Sequence, residues 1–130
     1  MVTDRVGDFI IRLKNAGSVK NPAVQVPHSK HIEAIAKKLK ELGFVSDVSV
    51  SKEMPATIEV TLAYDERGNH KITDVKRVSK PGRRMYVGTT DAHTVKNGLG
   101  ARIISTPKGI LADKEARKLR VGGENLFEIW

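Results

Sequence analysis

Thr57-Ile58-Glu59-Val60-Thr61-Leu62-Ala63-Tyr64 alternates residue by residue. Ile58, Val60, Leu62 and Tyr64 fall on one face, and Thr57, Glu59 and Thr61 on the other. A period of two marks a strand with one buried face. Upstream, Phe44 to Ser51 alternates more loosely, with Val48 and Val50 pointing one way. Met54-Pro55 lies between the two segments, which read as antiparallel strands. Just before them the period changes. Ile32, Ile35, Ala36, Leu39 and Leu42 recur at helical spacing after Ser29, and Gly43 follows as a C-terminal cap. Lys30, Lys37, Lys38 and Lys40 fall on the other faces of this helix. Ala23 to Val26 reads as a short strand ending at Pro27. Further back, Thr3 caps a first helix with Asp4 in its first turn. Val6, Phe9, Ile10 and Leu13 form its apolar stripe, and Asn15-Ala16-Gly17 stops it.

The first half therefore reads α-β-α-β-β, and the second is richer in strands. Ile72 to Val78 and Arg84 to Val87 are short strands around a Lys80-Pro81-Gly82 turn. Thr94 to Leu99 makes one helical turn, ended by Gly98 and Gly100. Ala101 to Ser105 leads into an exposed turn at Thr106-Pro107-Lys108-Gly109. Asp113 caps a short helix through Leu119, Gly122-Gly123 breaks it, and Glu124 to Trp130 is a last strand. The expected fold is α+β in two lobes. Residues 1–66 form an α/β lobe and 67–130 a mostly β lobe with short helices.

In 130 residues, 39% are hydrophobic and 29% charged, which supports a folded core and argues against global disorder. Cysteine is absent, excluding disulfides, thiolate metal sites and Cys nucleophiles. No apolar run is long enough for a membrane span, and no signal peptide is expected. There are 23 Lys and Arg against 15 Asp and Glu, a net +8. Such an excess points to a polyanion, most often nucleic acid. It is concentrated in residues 75–130, which hold 12 bases and 5 acids. The densest stretch runs from Lys76 through Arg77, Lys80 and Arg83 to Arg84, with five bases and no acid. It reads either as a solvated strand edge guarded against sheet pairing or as a phosphate-binding surface.

Signals for catalysis are weak. His28, His31, His70 and His93 complete no metal-ligand pattern, no Ser sits in a nucleophile elbow, and Gly98-Leu99-Gly100 is only a fragment of a glycine-rich loop. No cofactor and no metal is expected. Three groups suit RNA better. Tyr86 lies opposite the apolar Met85 and Val87, where its ring can stack on a base. Ser105-Thr106-Pro107-Lys108 offers hydroxyls and a cation in a tight turn, and hydroxyls both donate and accept. Gly122-Gly123-Glu124 combines close backbone approach with a carboxylate able to accept from a base amino group. Taken alone, each is equally an ordinary structural feature. Helix starts at Thr3-Asp4 and Ser29-Lys30 present free amides to phosphate. Arg12 and Asn15 lie beyond the apolar stripe of the first helix, facing solvent or RNA.

In order and spacing, these pieces resemble the bacterial type of the eighth protein of the small ribosomal subunit. The resemblance rests on Thr3-Asp4, Arg12 to Ala16, Val75 to Gly82, Tyr86-Val87 and Asn97 to Gly100. It continues through Ile104-Ser105-Thr106, Asp113 to Arg117, Val121 to Glu124 and the final Trp130. The family resemblance implies a two-lobed cytoplasmic protein of the small subunit. Its partners would be an irregular internal-loop helix in the central domain of small-subunit ribosomal RNA, neighbouring ribosomal proteins, and in many bacteria its own messenger RNA. It also implies that Ser105 and Thr106 are the main base-contacting residues, with Lys108 beside them. Tyr86 and Gly122-Gly123-Glu124 would line the same surface, and Thr3, Asp4, Ser29 and Lys30 would add contacts from the first lobe. The chain departs from the family at three places: Pro107 stands where a second Ser is usual, Arg5 where proline is common, and Ala112 where Thr is frequent. Proline removes a hydroxyl and a backbone N–H from the turn. Without the Thr, Asp113 is expected to cap the short helix. The alternatives are a small nucleic-acid-processing enzyme using His28 or His93, and an architectural DNA-binding protein.

Overall fold

The computed structural model describes residues 5–51, 53, 55–80, 82–87 and 100–130. Three helices and two antiparallel sheets are present among them, as an α+β fold requires. The elements are α1 Arg5–Ser18, β1 Ala23–Pro27, α2 Lys30–Leu42, β2 Val45–Ser51 and β3 Thr57–Leu62. They continue with β4 Val75–Arg77, β5 Tyr86–Val87, β6 Ala101–Thr106, β7 Gly109–Ala112, α3 Asp113–Leu119 and β8 Gly123–Ile129. Thr3, Asp4 and the Thr94–Leu99 turn lie outside the described residues. None of the described helices is long and apolar enough to cross a membrane.

Contacts divide the chain into two units, one of them Asp8–Thr73. Its sheet has the order β1-β3-β2, with β3 in the centre. Ile58, Val60 and Leu62 are buried along β3, following the alternation in the sequence. Phe9, Ile10 and Leu13 of α1 and Ile32, Ile35, Ala36 and Leu39 of α2 are buried with them. Segment 67–73 is tied into this unit. Asp65 accepts from the Arg67 and Asn69 amides, and the Lys71 N–H reaches the Ala63 carbonyl at 3.0 Å.

One local expectation changes here. Helix α1 does not stop at Asn15-Ala16-Gly17 but runs to Ser18. Gly17 is there for proximity: a Cβ on it would fall 1.6 Å from Nδ1 of His70. Lys38 falls outside the apolar stripe of α2 and is nonetheless buried. Its stem is buried, and Nζ reaches the exposed Glu41 carboxylate at 2.8 Å, as long cationic side chains do when they bury their methylenes.

The other unit comprises Asp74–Trp130 together with the start of the chain up to Gly7. Its sheet runs β4-β8-β6-β7, with β5 also paired to β8. Ala101, Ile103, Phe127 and Ile129 share one buried face through the pairs Ala101–Ile129 and Ile103–Phe127. Helix α3 packs on β6 through Ala116 against Ile104, with Val121 beside them. Strand β7 was not foreseen, and it turns the 106–109 loop into a hairpin with β6.

Asp113 is not the cap of α3. Ala112 takes the cap position, and its N–H donates to the Glu115 carboxylate at 3.4 Å. The buried Asp113 carboxylate instead accepts from the Arg102 N–H at 3.1 Å and from Arg117 at 2.9 Å. The Thr-to-Ala departure therefore leaves the Glu115 half of the capping box standing.

The segments around Lys80 also differ from expectation. Both strands are shorter than the expected Ile72 to Val78 and Arg84 to Val87, and they do not pair with each other. Both run antiparallel to β8 along the same edge, β4 against Phe127–Ile129 and β5 against Gly123–Glu124. Residues 78–85 are thus an excursion from one interrupted edge strand. Its tip is a tight bridge in which Lys80 and Arg83 exchange backbone hydrogen bonds at 3.0 and 2.9 Å.

Candidate nucleic-acid interface

The register of the second sheet brings three of the sequence-predicted residues into one row. Tyr86 pairs with Glu124, and Glu124 pairs with Ser105 on its other side. Residues directly opposite one another in antiparallel strands project to the same face. Tyr86, Glu124 and Ser105 therefore stand side by side across β5, β8 and β6. The Tyr86 side chain is 70% exposed, far above what a half-buried sheet tyrosine would show.

Glu124 is fixed. Its Oε2 accepts from the Ser79 hydroxyl and, at 3.0 Å, from Nη1 of Arg84. Ser79 is fully buried, and its oxygen also accepts from the Met85 N–H at 3.2 Å. One hydroxyl thus closes the neck of the 78–85 excursion and aims the carboxylate. Gly123 is needed for the strands to meet here. A Cβ on it would lie 2.0 Å from the Ser105 carbonyl oxygen. The close approach inferred for Gly122-Gly123 is therefore made to β6 of the same chain. It sits beside the irregular register at Ile103–Ile104.

The hydroxyls of the β6–β7 turn differ from each other. Thr106 donates to the Gly109 carbonyl at 2.8 Å and accepts from the Lys108 N–H at 3.1 Å. Both capacities are used within the turn. Ser105 is half-buried, and its hydroxyl has no partner among the described residues. Pro107 and Lys108 are exposed at the tip, where proline's fixed φ suits the first central turn position. Lys80, Arg83 and Arg84 are exposed on the excursion.

In the other unit the predicted residues are less concentrated. Arg12 is tied down by Asp8 at 3.0 Å and by the Gln25 carbonyl at 3.2 Å. Asn15 is exposed. Ser29 stands at the cap position of α2 with extended backbone, but makes no side-chain cap bond; its carbonyl accepts from the Glu33 N–H at 2.9 Å. Lys30 is exposed beside it. His28 does have a carboxylate partner, Glu33 at 2.9 Å, which also binds Lys37 at 2.9 Å. These two contacts hold the Glu33 carboxyl below its ordinary pKa, the Lys37 hydrogen bond contributing most. Both carboxylate oxygens are occupied. Among the described residues no group of three or more His and acidic side chains is placed to hold a metal.

The family model described as Ribosomal protein S8 matches residues 4–130. The chain belongs to this family. It is 47% identical to the small ribosomal subunit protein uS8 of Chlorobaculum tepidum, over 99% of this chain and 98% of the relative. To the protein of the same name from Nitratidesulfovibrio vulgaris it is 47% identical over the whole of both chains. To that of Streptococcus pyogenes it is 44% identical over all of this chain and 99% of the relative. This family comprises ribosomal proteins rather than enzymes.

Two residues of this region carried little signal in the sequence. Lys76 was visible only as part of a basic run. Asn125 was hidden, because a polar residue in an apolar strand looks like an ordinary sheet position until its surroundings are known.

Proposed function

We propose that this chain is a constituent of the small ribosomal subunit that binds an irregular internal-loop helix in the central domain of small-subunit ribosomal RNA and supports subunit assembly. The observation that carries this reading is the row of Tyr86, Glu124 and Ser105. A mostly exposed ring, a fixed acceptor and a spare hydroxyl in one line suit unstacked bases and 2′-hydroxyls, which an internal loop exposes and a regular duplex hides. Lys80, Arg83, Arg84 and Lys108 around the row supply phosphate attraction. Arg12, Asn15, Ser29 and Lys30 of the other unit would add contacts to the RNA backbone, and the free amides expected at Thr3 and Asp4 would add theirs. The names of the relatives support the subunit assignment, and with it a place in the bacterial cytoplasm among neighbouring ribosomal proteins.

Filter binding tests this reading. The protein should hold an internal-loop hairpin from the central domain far more tightly than a regular RNA duplex of equal length. Equal affinity for the two would sink it. The same surface would accept a similar element in the protein's own messenger RNA, repressing translation. Competition between the two RNAs for one site measures that second role.

A further inference from the structure

Arg84, Arg102 and Arg117 each have a carboxylate at 3.0, 2.9 and 2.9 Å respectively. Lys76, Lys80 and Arg83 have none among the described residues. All three line one cleft beneath the 78–85 excursion, with a volume of about 350 Å³. Lys80 and Arg83 lie directly opposite each other in the tip bridge. Like charges in that position repel, and the bridge is destabilised unless an anion relieves it.

The cleft also reaches Asn125, Met85 and Glu128. Asn125 is 5% exposed, and its Oδ1 has no hydrogen-bond partner among the described residues. A buried amide oxygen without a donor costs about 1–3 kcal/mol, so its presence needs a reason. Met85 gives an apolar wall that is 37% exposed. Glu128 does not oppose an anion here, because Arg102 neutralises it at 2.9 Å. The site thus combines unpaired cations at the rim, a soft apolar wall, and an acceptor waiting for a donor. Its size is at the lower end of small-ligand sites, which run roughly 300–1,000 Å³.

We propose that this cleft receives one nucleotide of a single-stranded RNA segment. Lys76, Lys80 and Arg83 hold its phosphate, and its base edge donates to Oδ1 of Asn125. The inference rests on the RNA-binding reading above and adds to it a second contact, in which Lys80 and Arg83 act together with Lys76, Met85 and Asn125. An exocyclic amino group is the matching donor, and the Met85 side chain covers the ring.

The test is an NMR titration of the full-length protein with adenosine monophosphate, its N6,N6-dimethyl derivative, inorganic phosphate and a single-stranded adenylate pentamer. Adenosine monophosphate and the pentamer should shift the amide signals of residues 76–80, 83–85 and 125 saturably. The dimethyl derivative, which has lost the donor, should bind about tenfold more weakly, the cost of one unpaired buried acceptor. Lys80→Gln and Arg83→Gln should weaken every ligand. Asn125→Ala should remove the difference between the two nucleotides; if that variant does not fold, the wild-type comparison decides alone. Equal binding of both nucleotides and phosphate would reduce the cleft to an anion site and overturn the proposal. So would binding of the monophosphate with exclusion of the pentamer, which would mark a free-nucleotide site, and so would the absence of saturable shifts. The two readings fail separately. Specific hairpin binding without nucleotide binding removes only the cleft, and nucleotide binding without hairpin preference removes only the Tyr86–Glu124–Ser105 interface.

Discussion

The buried hydroxyl of Ser79 donates to the carboxylate of Glu124, 45 residues further along the chain. The same oxygen accepts from the Met85 N–H. One side chain therefore ties together the entrance and exit of the 78–85 excursion and sets the orientation of the central residue in the RNA-facing row. Losing this fully buried group leaves the Met85 N–H without its acceptor and takes one donor from Glu124 Oε2, which keeps Arg84. Ser79→Ala should lower stability by about 1–3 kcal/mol and weaken hairpin binding, although residue 79 itself is inaccessible to RNA. Urea unfolding with parallel filter binding checks this. Unchanged stability would show that water replaces the hydroxyl at no cost.

Ser105 and Thr106 are adjacent hydroxyls with different duties. Thr106 spends its hydroxyl inside the turn, whereas Ser105 keeps its own available. Ser105→Ala should weaken specific RNA binding about tenfold, the effect of one lost hydrogen bond of about 1.4 kcal/mol, without moving the melting temperature. Thr106→Ala should lower stability by about 1 kcal/mol through the turn, whatever it does to RNA. Thermal melting separates the two variants, and equal melting shifts would contradict the assignment.

Gly123→Ala forces a Cβ against a backbone oxygen, which no side-chain rotation relieves. Strands β6 and β8 must separate where the row is built. Expected is a loss of about 3 kcal/mol or more, the scale of exceptional single substitutions. Gly82→Ala is the control. Its Cβ meets nothing within 4 Å, and stability should stay within about 0.5 kcal/mol. Similar effects from the two would show that the sheet edge yields easily.

Periodicity disclosed most of the elements, because buried faces repeat. Ile58, Val60 and Leu62 announce β3, and Ile32, Ile35 and Leu39 announce α2. It failed where one residue answers a distant contact. Gly17 looks like a helix stop but is a space left for His70. Asp113 looks like a cap but is a buried acceptor for Arg102 and Arg117. Lys80-Pro81-Gly82 looks like a hairpin turn, yet the strands flanking it pair with β8. Composition and order brought Tyr86, Ser105 and Glu124 forward singly. Only the register puts them in a line, since register depends on partners far away in the chain.

His70 gives the fold a pH dependence. Its ring lies against Gly17 and 5.4 Å from the Tyr64 ring, and Nε2 is buried without a partner among the described residues. Burial disfavours the charged form and lowers the pKa below the ordinary 6.5. In the unfolded chain the imidazole titrates near its ordinary value, so the unfolded state takes up a proton first as pH falls. The stabilising contribution of His70 is therefore complete above pH 6.5 and is lost as pH falls through the folded-state pKa. Glu33, Asp47 and Asp65, whose carboxyls are held low by the hydrogen bonds they accept, act in a separate window below the ordinary carboxylate values of 4.5, 3.8 and 3.8. Urea unfolding should show stability falling between about pH 7 and 5 in the wild type. In His70→Gln the fall over that interval should be smaller. An NMR titration of His70 should give a pKa below 6.5. An unchanged pH profile in the variant, or a His70 pKa above 6.5, would place the ring in water and remove it as the source of the effect.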